Sequence, residues 1–175
     1  MSMSNVSQTR TESNSAIDGS HSAGIAKATE ALSAHGLEAR IRRLEDSART
    51  AQAAADAIGC ALDQIVKSLV FKEKSTGAPV LILVSGGNRV AESKVGKRIG
   101  QEIAKADAEY VRAKTGYAIG GVAPLGHPET LQTLVDEDLM GFDELWAAAG
   151  HPSAVFRLTP HELVRITGGT IVPII

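Results

Sequence analysis

The sequence contains little of what defines several common protein classes. Only 3% of its 175 residues are aromatic, and Cys60 is its one cysteine. A single cysteine excludes an internal disulfide and a multi-cysteine zinc site, and it fits a reducing compartment. The scarcity of aromatic side chains argues against a platform on which nucleic-acid bases stack. The apolar stretch around Cys60 favours a packed thiol over a nucleophile.

Charge and hydrophobicity exclude two further classes. A net charge of −2 argues against a protein that coats nucleic acid, although a local patch could still grip one strand end. No run approaches the roughly 18 apolar residues of a membrane span, and the polar first 21 residues lack the apolar core of a signal peptide. We therefore expect a cytoplasmic protein without a membrane partner, with a disordered tail at 1–21 and one domain at 22–175.

Several helices are predicted from apolar spacing and from their caps. A first helix begins near residue 22 and ends at Gly36, and Thr50 caps a second helix over 51–58. Residues 159–162 form a capping box with proline at the first helical position. Further helices are predicted with Ser93 as N-cap and a stripe of Val95, Ile99 and Ile103, with Asp107 as N-cap, and over 142–149 with 150–152 as its end.

Alternating apolar residues predict strands between these helices. The clearest strand covers 64–72, and the turn that follows pairs it antiparallel with 80–84. Shorter strands are predicted at 38–44, 131–135, 154–158 and 171–175. Strands of mixed order with helices interspersed predict an α+β fold, a single compact domain with a curved mixed or largely antiparallel sheet.

Lys67 occupies an unusual position in the middle of the strand 64–72. Its neighbours two residues away on either side are Ile65 and Leu69, so an ammonium here is costly unless a cavity, an anion or carbonyl oxygens receive it. Alternatively, the long side chain carries its charge to the rim of the sheet. The sequence leaves both interpretations open.

The segment 115–127 holds four of the 17 glycines and Pro124. Glycine has no Cβ to keep a ligand away from the backbone, so this loop is a candidate backbone binding site. A tight connection between two elements is the alternative. The segment lacks both the Gly-Lys-Ser/Thr ending of a phosphate-binding loop and the context of a dinucleotide fingerprint.

Other catalytic patterns are absent from the sequence. It has no Ser-His-Asp order and no H-E-x-x-H, and the triplet 136–138 is predicted to be an acidic turn and not a metal site. We therefore expect no metal and no cofactor. Lys67 and the glycine loop could together bind an anionic or ester-bearing substrate, orient a water and stabilise an oxyanion, each donor contributing about 3 kcal/mol.

Two motifs in this order carry a resemblance to a known family. The strand motif QIVKSLVFK and the loop motif TGYAIGGVAPLGH resemble the YbaK/ProX family of trans-editing aminoacyl-tRNA deacylases, relatives of the editing domain of bacterial prolyl-tRNA synthetase. The resemblance runs from about Ile25 to the C-terminus. It implies a barrel-like sheet surrounded by helices, as in that editing domain.

The resemblance also implies an activity and its residues. The expected reaction is hydrolysis of the ester between a wrong amino acid and the 3′ adenosine of tRNA, chiefly tRNA for proline. Lys67 matches the family's essential lysine, and Gly120 matches the loop glycine that approaches the scissile ester and the attacking water. The implied substrate contacts are Thr50, Gly121, Pro124, Gly150 and His151. Prolyl-tRNA synthetase is an implied partner.

The sequence departs from the cysteine-clearing branch of that family. Ala148 and Val155 align where that branch carries a serine and an aspartate, which favours alanine or 2-aminobutyrate over cysteine as the cleared residue. His151 is either a substrate contact or a surface turn histidine, and His127 is expected to be a solvated loop residue. Two alternatives to the enzyme stay open: a tRNA-end binding module without hydrolysis, and a scaffold that binds a synthetase.

Overall fold

The computed structural model describes residues 23–175, so the predicted tail at 1–21 lies outside the described part. Three 3-10 turns, Glu38–Arg40, Leu62–Gln64 and Glu137–Gly141, join the regular elements. The helices are α1 at 23–33, α2 at Ala51–Ile58, α3 at Glu92–Ile99, α4 at Ala108–Thr115 and α5 at Pro160–Thr167. The strands are β1 at Ile41–Arg43, β2 at Ile65–Glu73, β3 at Pro79–Ser85, β4 at Ile103–Lys105, β5 at Gln132–Asp136, β6 at Leu145–His151, β7 at Ala154–Leu158 and β8 at Thr170–Val172.

All eight strands form one mixed sheet in the order β1-β7-β6-β2-β3-β5-β8, with β4 paired to β2. The pairs β2–β3 and β6–β7 are antiparallel, whereas β2–β6, β3–β5 and β5–β8 are parallel. Alternate residues of β2 enter different apolar clusters: Val66 and Val70 join the one that includes α1, α4 and α5, and Phe71 joins the one with α3. The predicted α+β fold with a mixed sheet is confirmed.

Three of the predicted helix N-caps form. The side chain of Thr50 accepts a hydrogen bond from the Ala53 amide, and Asp107 accepts one from Tyr110 at the start of α4. Thr159 and Glu162 form the reciprocal bonds of a capping box, with Pro160 at the first turn of α5. Each such cap satisfies a backbone amide that has no partner inside its helix.

The predicted helix over 142–149 is wrong, because this segment forms strand β6. Trp146 pairs with Ile65 of β2 on one side and with Arg157 of β7 on the other. A strand buried on both faces gives a continuous apolar run, which also fits helical spacing when it is rich in alanine. Neighbouring strands therefore override the helical preference of Ala147–Ala149.

Four other boundaries also differ from the predictions. Helix α3 begins after Ala91 without a side-chain cap, so Ser93 is not its N-cap. It ends at Gly100 in the left-handed conformation, and Ile103 belongs to β4 and not to the helical stripe. The predicted strand at 38–44 contains a 3-10 turn before β1, and the last strand is limited to β8. Within 23–175, no helix is long and apolar enough to cross a membrane.

Candidate active site

Strand β2 has an incomplete edge in the middle of the sheet. On the side away from β3, it pairs with β6 only at Ile65 and Val66, and with β4 only from Phe71 to Glu73. Residues 67–70 lie between these two partners and are paired, among the described residues, only with β3. Because backbone groups along a strand point alternately to its two edges, about half of the N–H and C=O groups of this stretch face the gap.

A cavity of about 390 Å³ occupies this gap. Its walls are mostly apolar and come from α2, β6 and β7, with Ala51, Ala54, Trp146, Ala148 and Val155 as lining residues. Arg49, Lys105 and Ile119 also line it, and all three are exposed. The cavity therefore combines an apolar wall, a strand edge with free backbone groups, and exposed cationic side chains.

Lys67 lines the cavity and is half-buried. Its Nζ donates a hydrogen bond to the backbone carbonyl of Asn88 at 2.5 Å. Burial and the nearby Arg89 lower the pKa of Lys67, while Asp136 opposes this shift. The carbonyl accepts one of the three ammonium protons, so two donors are left for a ligand. Of the two interpretations that the sequence left open, the structure matches a lysine received by a cavity and a carbonyl oxygen. It does not match a lysine whose side chain reaches the rim of the sheet.

A buried carboxylate fixes the turn that carries the Asn88 carbonyl. Asp136 is 1% exposed, and its Oδ2 accepts hydrogen bonds from the Ser85 amide at 3.0 Å and from Asn88 Nδ2 at 2.9 Å. Its Oδ1 accepts a third bond from the Asp138 amide. The acidic triplet is thus a strand-to-helix turn, as predicted, and it also holds the partner of Lys67 in place. Nothing in the sequence pattern linked Asn88 to Lys67, because they meet only across β2 and β3.

The loop 115–127 brings Gly120 to the cavity. Gly120 is exposed and has a φ of +89°, a conformation that L side chains rarely adopt. A Cβ at this position would contact only Pro152 Cγ, at 3.4 Å. The structure therefore leaves free space beside Gly120, where a substrate could approach the backbone.

Internal hydrogen bonds brace this loop. The buried Tyr117 hydroxyl donates to the Leu125 carbonyl at 2.9 Å, and burial raises the pKa of Tyr117 to about 12. The His127 Nε2 lies 2.8 Å from the Ala123 carbonyl, and burial lowers the pKa of His127. His127 is not the solvated residue that the sequence predicted, since it is partly buried and packs edge-on against Tyr117. The brace gives the loop a fixed shape.

Four of the predicted contact residues do not line the cavity. Pro124 is buried within the loop, and a Cβ at Gly121 would lie 2.8 Å from the His151 Cα. A Cβ at Gly150 would overlap the backbone of Gly24. Gly121 and Gly150 thus form a supporting layer beside Gly120, since the backbone of 150–151 packs against Gly121 and that of Gly24 against Gly150.

His151 belongs to the same supporting layer. It is 7% exposed, so it is not a surface turn histidine, and its Nδ1 lies 2.6 Å from Ser153 Oγ at the irregular end of the β6–β7 pair. The structure therefore brings Lys67, Gly120 and Thr50 together around the cavity, with His151 outside its lining.

Sequence reasoning overlooked three polar residues that line the cavity: Arg49, Lys105 and Ser68. The Oγ of Ser68 is buried and has no hydrogen-bond partner among the described residues. A buried polar atom without a partner is costly, and a ligand in the cavity could supply the missing bond. The signal for Ser68 was a hydroxyl residue next to Lys67 in an otherwise apolar strand. Within 23–175, no three His, Cys, Asp or Glu side chains come together as metal ligands.

Comparisons with known proteins identify the family of this chain. Residues 45–166 match the family of aminoacyl-tRNA editing domains. The chain is 31% identical over 124 residues to protein YwhH of Bacillus subtilis (strain 168), which covers 70% of this chain and 78% of that protein. It is also 33% identical over 132 residues to proline–tRNA ligase of Limosilactobacillus fermentum, which covers 71% of this chain and 23% of the ligase.

A solved structure is similar over nearly its whole length. It is described as a candidate trans-editing enzyme for prolyl-tRNA synthetase, and it superposes with a TM-score of 0.82 at 43% identity, covering 86% of this chain and 96% of the other. The predicted family and enzyme class are thereby confirmed. The chain belongs to the aminoacyl-tRNA editing domain family and is an aminoacyl-tRNA deacylase.

Proposed function

We propose that this protein clears tRNA for proline that carries a small wrong amino acid, alanine or 2-aminobutyrate. The choice of tRNA is supported by the similarity to proline–tRNA ligase and to the candidate trans-editing enzyme for prolyl-tRNA synthetase. The same two relatives suggest prolyl-tRNA synthetase as a partner that would hand over the mischarged tRNA.

The observation that carries this proposal is the Lys67 ammonium at the open edge of β2, inside a cavity with apolar walls. A point charge in such surroundings interacts strongly with an oxygen of the bound 3′ end, either the ester carbonyl or a phosphate. A water held by backbone groups near Gly120 adds to the ester carbonyl. The ribose oxygen then leaves and takes up a proton, which releases the free amino acid and intact tRNA.

The cavity walls support a small apolar amino acid. Ala148 and Val155 face each other across β6 and β7 and both line the cavity, so neither wall offers a hydrogen bond to a thiol or hydroxyl side chain. Size alone discriminates weakly, since one methylene is worth about 1–3 kcal/mol in such a pocket. The unpartnered Ser68 hydroxyl could bind the substrate's amino group, which all of these amino acids share.

The test is deacylation of tRNA for proline charged separately with alanine, 2-aminobutyrate, cysteine, serine and proline. Wild type is compared with Lys67→Ala and with Lys94→Ala, which removes an exposed lysine from α3 as a matched control. We expect cleavage of alanine or 2-aminobutyrate, sparing of proline, and loss of activity in Lys67→Ala only. Faster cleavage of cysteine or serine would overturn the proposed specificity. Tight binding of the tRNA without cleavage would instead indicate a binding module.

A further inference from the structure

A group of exposed lysines surrounds one tyrosine beside the cavity. Lys72 Nζ of β2 lies 5.2 Å from the ring centroid of Tyr110, and Lys114 Nζ of α4 lies 5.8 Å from it. The Tyr110 hydroxyl donates to the Gly77 carbonyl at 2.6 Å, which fixes the ring. Lys105 of β4 lies next to this pair in the sheet, one residue from Ala104, the register partner of Lys72, and its side chain starts from the other face. We call Lys72, Lys105, Tyr110 and Lys114 the basic ledge.

The positive charges of the ledge are not paired with carboxylates. The ion pairs of the described residues involve Arg40, Arg157 and Arg165, and none includes a ledge lysine. The acidic side chains next to the ledge form other hydrogen bonds or lie on another face of their helix. Glu73 accepts hydrogen bonds from Ser75 and Thr76, which lower its pKa to about 2; its carboxylate is ionised, but it forms no ion pair with a ledge lysine.

The acids of α4 do not neutralise the ledge either. Asp107 caps the helix by accepting from the Tyr110 amide. Tyr110 and Lys114 are four residues apart and share one helix face, whereas Glu109 lies about 100° around the helix from Tyr110. Two ammonium groups drawn to one aromatic ring without a counterion form a site for an anion.

The ledge is continuous with the cavity. Lys105 lines the cavity and pairs in register with Phe71, which also lines it. Lys72 follows Lys67 by five residues on the same strand, so their Cα atoms are roughly 17 Å apart at about 3.4 Å per residue. The odd separation places the two side chains on opposite faces of β2, so a strand that contacts both must pass the open edge of β2 at 67–70. A nucleic-acid strand rising about 3.4 Å per stacked nucleotide covers this distance with about five nucleotides.

We propose that the basic ledge binds phosphates of the RNA strand that leads to the aminoacylated 3′ end. This inference rests on the proposed function, in which the terminal adenosine lies at Lys67. Lysine ammonium groups bind phosphate as point charges, and the protein's net charge of −2 requires that such binding be local. The ledge is expected to position the RNA strand independently of the RNA sequence, because phosphates are the same for every base.

The test compares a double variant, Lys72→Ala with Lys114→Ala, against Lys94→Ala with Lys97→Ala on α3. Both pairs remove two exposed lysines, so the net charge changes equally. Affinity for uncharged tRNA is measured at several salt concentrations. We expect about a tenfold loss of affinity in the ledge variant. The slope of log K against log salt should fall by about 1.4, since each contact to a single strand contributes roughly 0.7.

A second measurement separates this proposal from the proposed function. The ratio of kcat/KM on aminoacyl-tRNA to kcat/KM on aminoacyl-adenosine should fall about tenfold in the ledge variant, because aminoacyl-adenosine lacks the RNA strand. An affinity and salt slope that do not change in the ledge variant would contradict the proposed binding of RNA by the ledge. An equal loss of affinity in the α3 variant would contradict it as well. If wild type cleaved neither substrate, the proposed function would fail. The salt slope with uncharged tRNA would still show whether the ledge binds RNA.

Discussion

Lys67 and Lys72 lie on the same strand and have different surroundings. Lys67 is half-buried, donates to a backbone carbonyl and faces an apolar cavity, whereas Lys72 is exposed and lies over the Tyr110 ring. The partners of β2 explain the difference. Lys67 lies where both β6 and β4 have left the strand edge, and Lys72 lies where β4 pairs with it. The same side chain is therefore proposed to act on the reacting ester at one position and on the RNA strand at the other.

The largest effect should separate these two lysines kinetically. Lys67→Ala is expected to lower kcat on alanyl-tRNA by about 10²–10³-fold, the loss typical of one removed oxyanion donor. Lys72→Ala is expected to raise KM several-fold with a smaller change in kcat, because it removes a contact made equally before and during the reaction. Single-turnover and steady-state rates measure both. Equal losses of kcat in the two variants would contradict the proposed difference between the two lysines, provided that thermal unfolding shows both variants folded.

The Gly120 loop should act on the same step as Lys67. Gly120→Ala is expected to lower kcat at least tenfold, because its Cβ would enter the space beside the scissile ester. Gly59→Ala at the end of α2 is the control, since its φ of +85° imposes similar backbone strain of about 1 kcal/mol and its Cβ would meet nothing within 4 Å. If the loss of kcat in both variants follows the decrease in their melting temperatures, Gly120 has no role beyond shaping the loop.

The support of Lys67 by Asp136 should be visible in stability and in activity. Both carboxylate oxygens of Asp136 accept hydrogen bonds, so an amide in Asp136→Asn must face a donor with its own NH₂ group in either orientation. The expected cost is about 1–3 kcal/mol of unfolding free energy, with a several-fold lower kcat as the Asn88 carbonyl shifts. Glu137→Gln is the control, because Glu137 is an exposed residue of the same acidic triplet. Denaturant unfolding and single-turnover rates test this, and equal effects of the two substitutions would contradict it.

The smallest expected effect concerns pH. Burial and Arg89 lower the pKa of Lys67 from its ordinary 10.5, so the ammonium is lost as pH rises through this lower value. The ratio of enzymatic to spontaneous hydrolysis should therefore fall below pH 10.5, and at a still lower pH in Asp136→Asn, because Asp136 favours the ammonium. Lys67 itself does not destabilise the fold over this range, since a lysine pKa that is lowered by folding makes the protein more stable as pH rises between the folded and unfolded values. Melting temperatures at each pH show whether the protein stays folded. Quenched-flow rates across pH test it. A ratio that does not change with pH would exclude the ammonium as the active form.

Much of the fold could be predicted because local chemistry determines it. Thr50, Asp107 and the capping box at 159–162 are recognisable from a few adjacent residues, and each forms the predicted cap. Strand β6 could not be recognised in this way. Its alanine-rich segment fits a helix by spacing, and only the distant strands β2 and β7 decide the matter.

The site could be predicted only in part for the same reason. Lys67 was noticeable as a charge within an apolar strand, and Gly120 as part of a glycine-rich loop. The gap in the sheet, the Asn88 carbonyl and the lysines around Tyr110 depend on contacts between residues far apart in sequence. His127 was expected to be solvated and His151 to be either a substrate contact or a surface turn residue, yet tertiary packing buries His151 and partly buries His127.

The account's central claim is that the amino acid is bound between Lys67 and Gly120. A crystal structure with a non-hydrolysable amide analogue of 3′-alanyl-adenosine 5′-phosphate tests it most directly. We predict that the alanyl group occupies the cavity, with its carbonyl oxygen or the adjoining phosphate within hydrogen-bond distance of Lys67 Nζ and its carbonyl carbon beside the Gly120 backbone. An analogue bound elsewhere on the protein, with Lys67 still donating only to Asn88, would contradict the account.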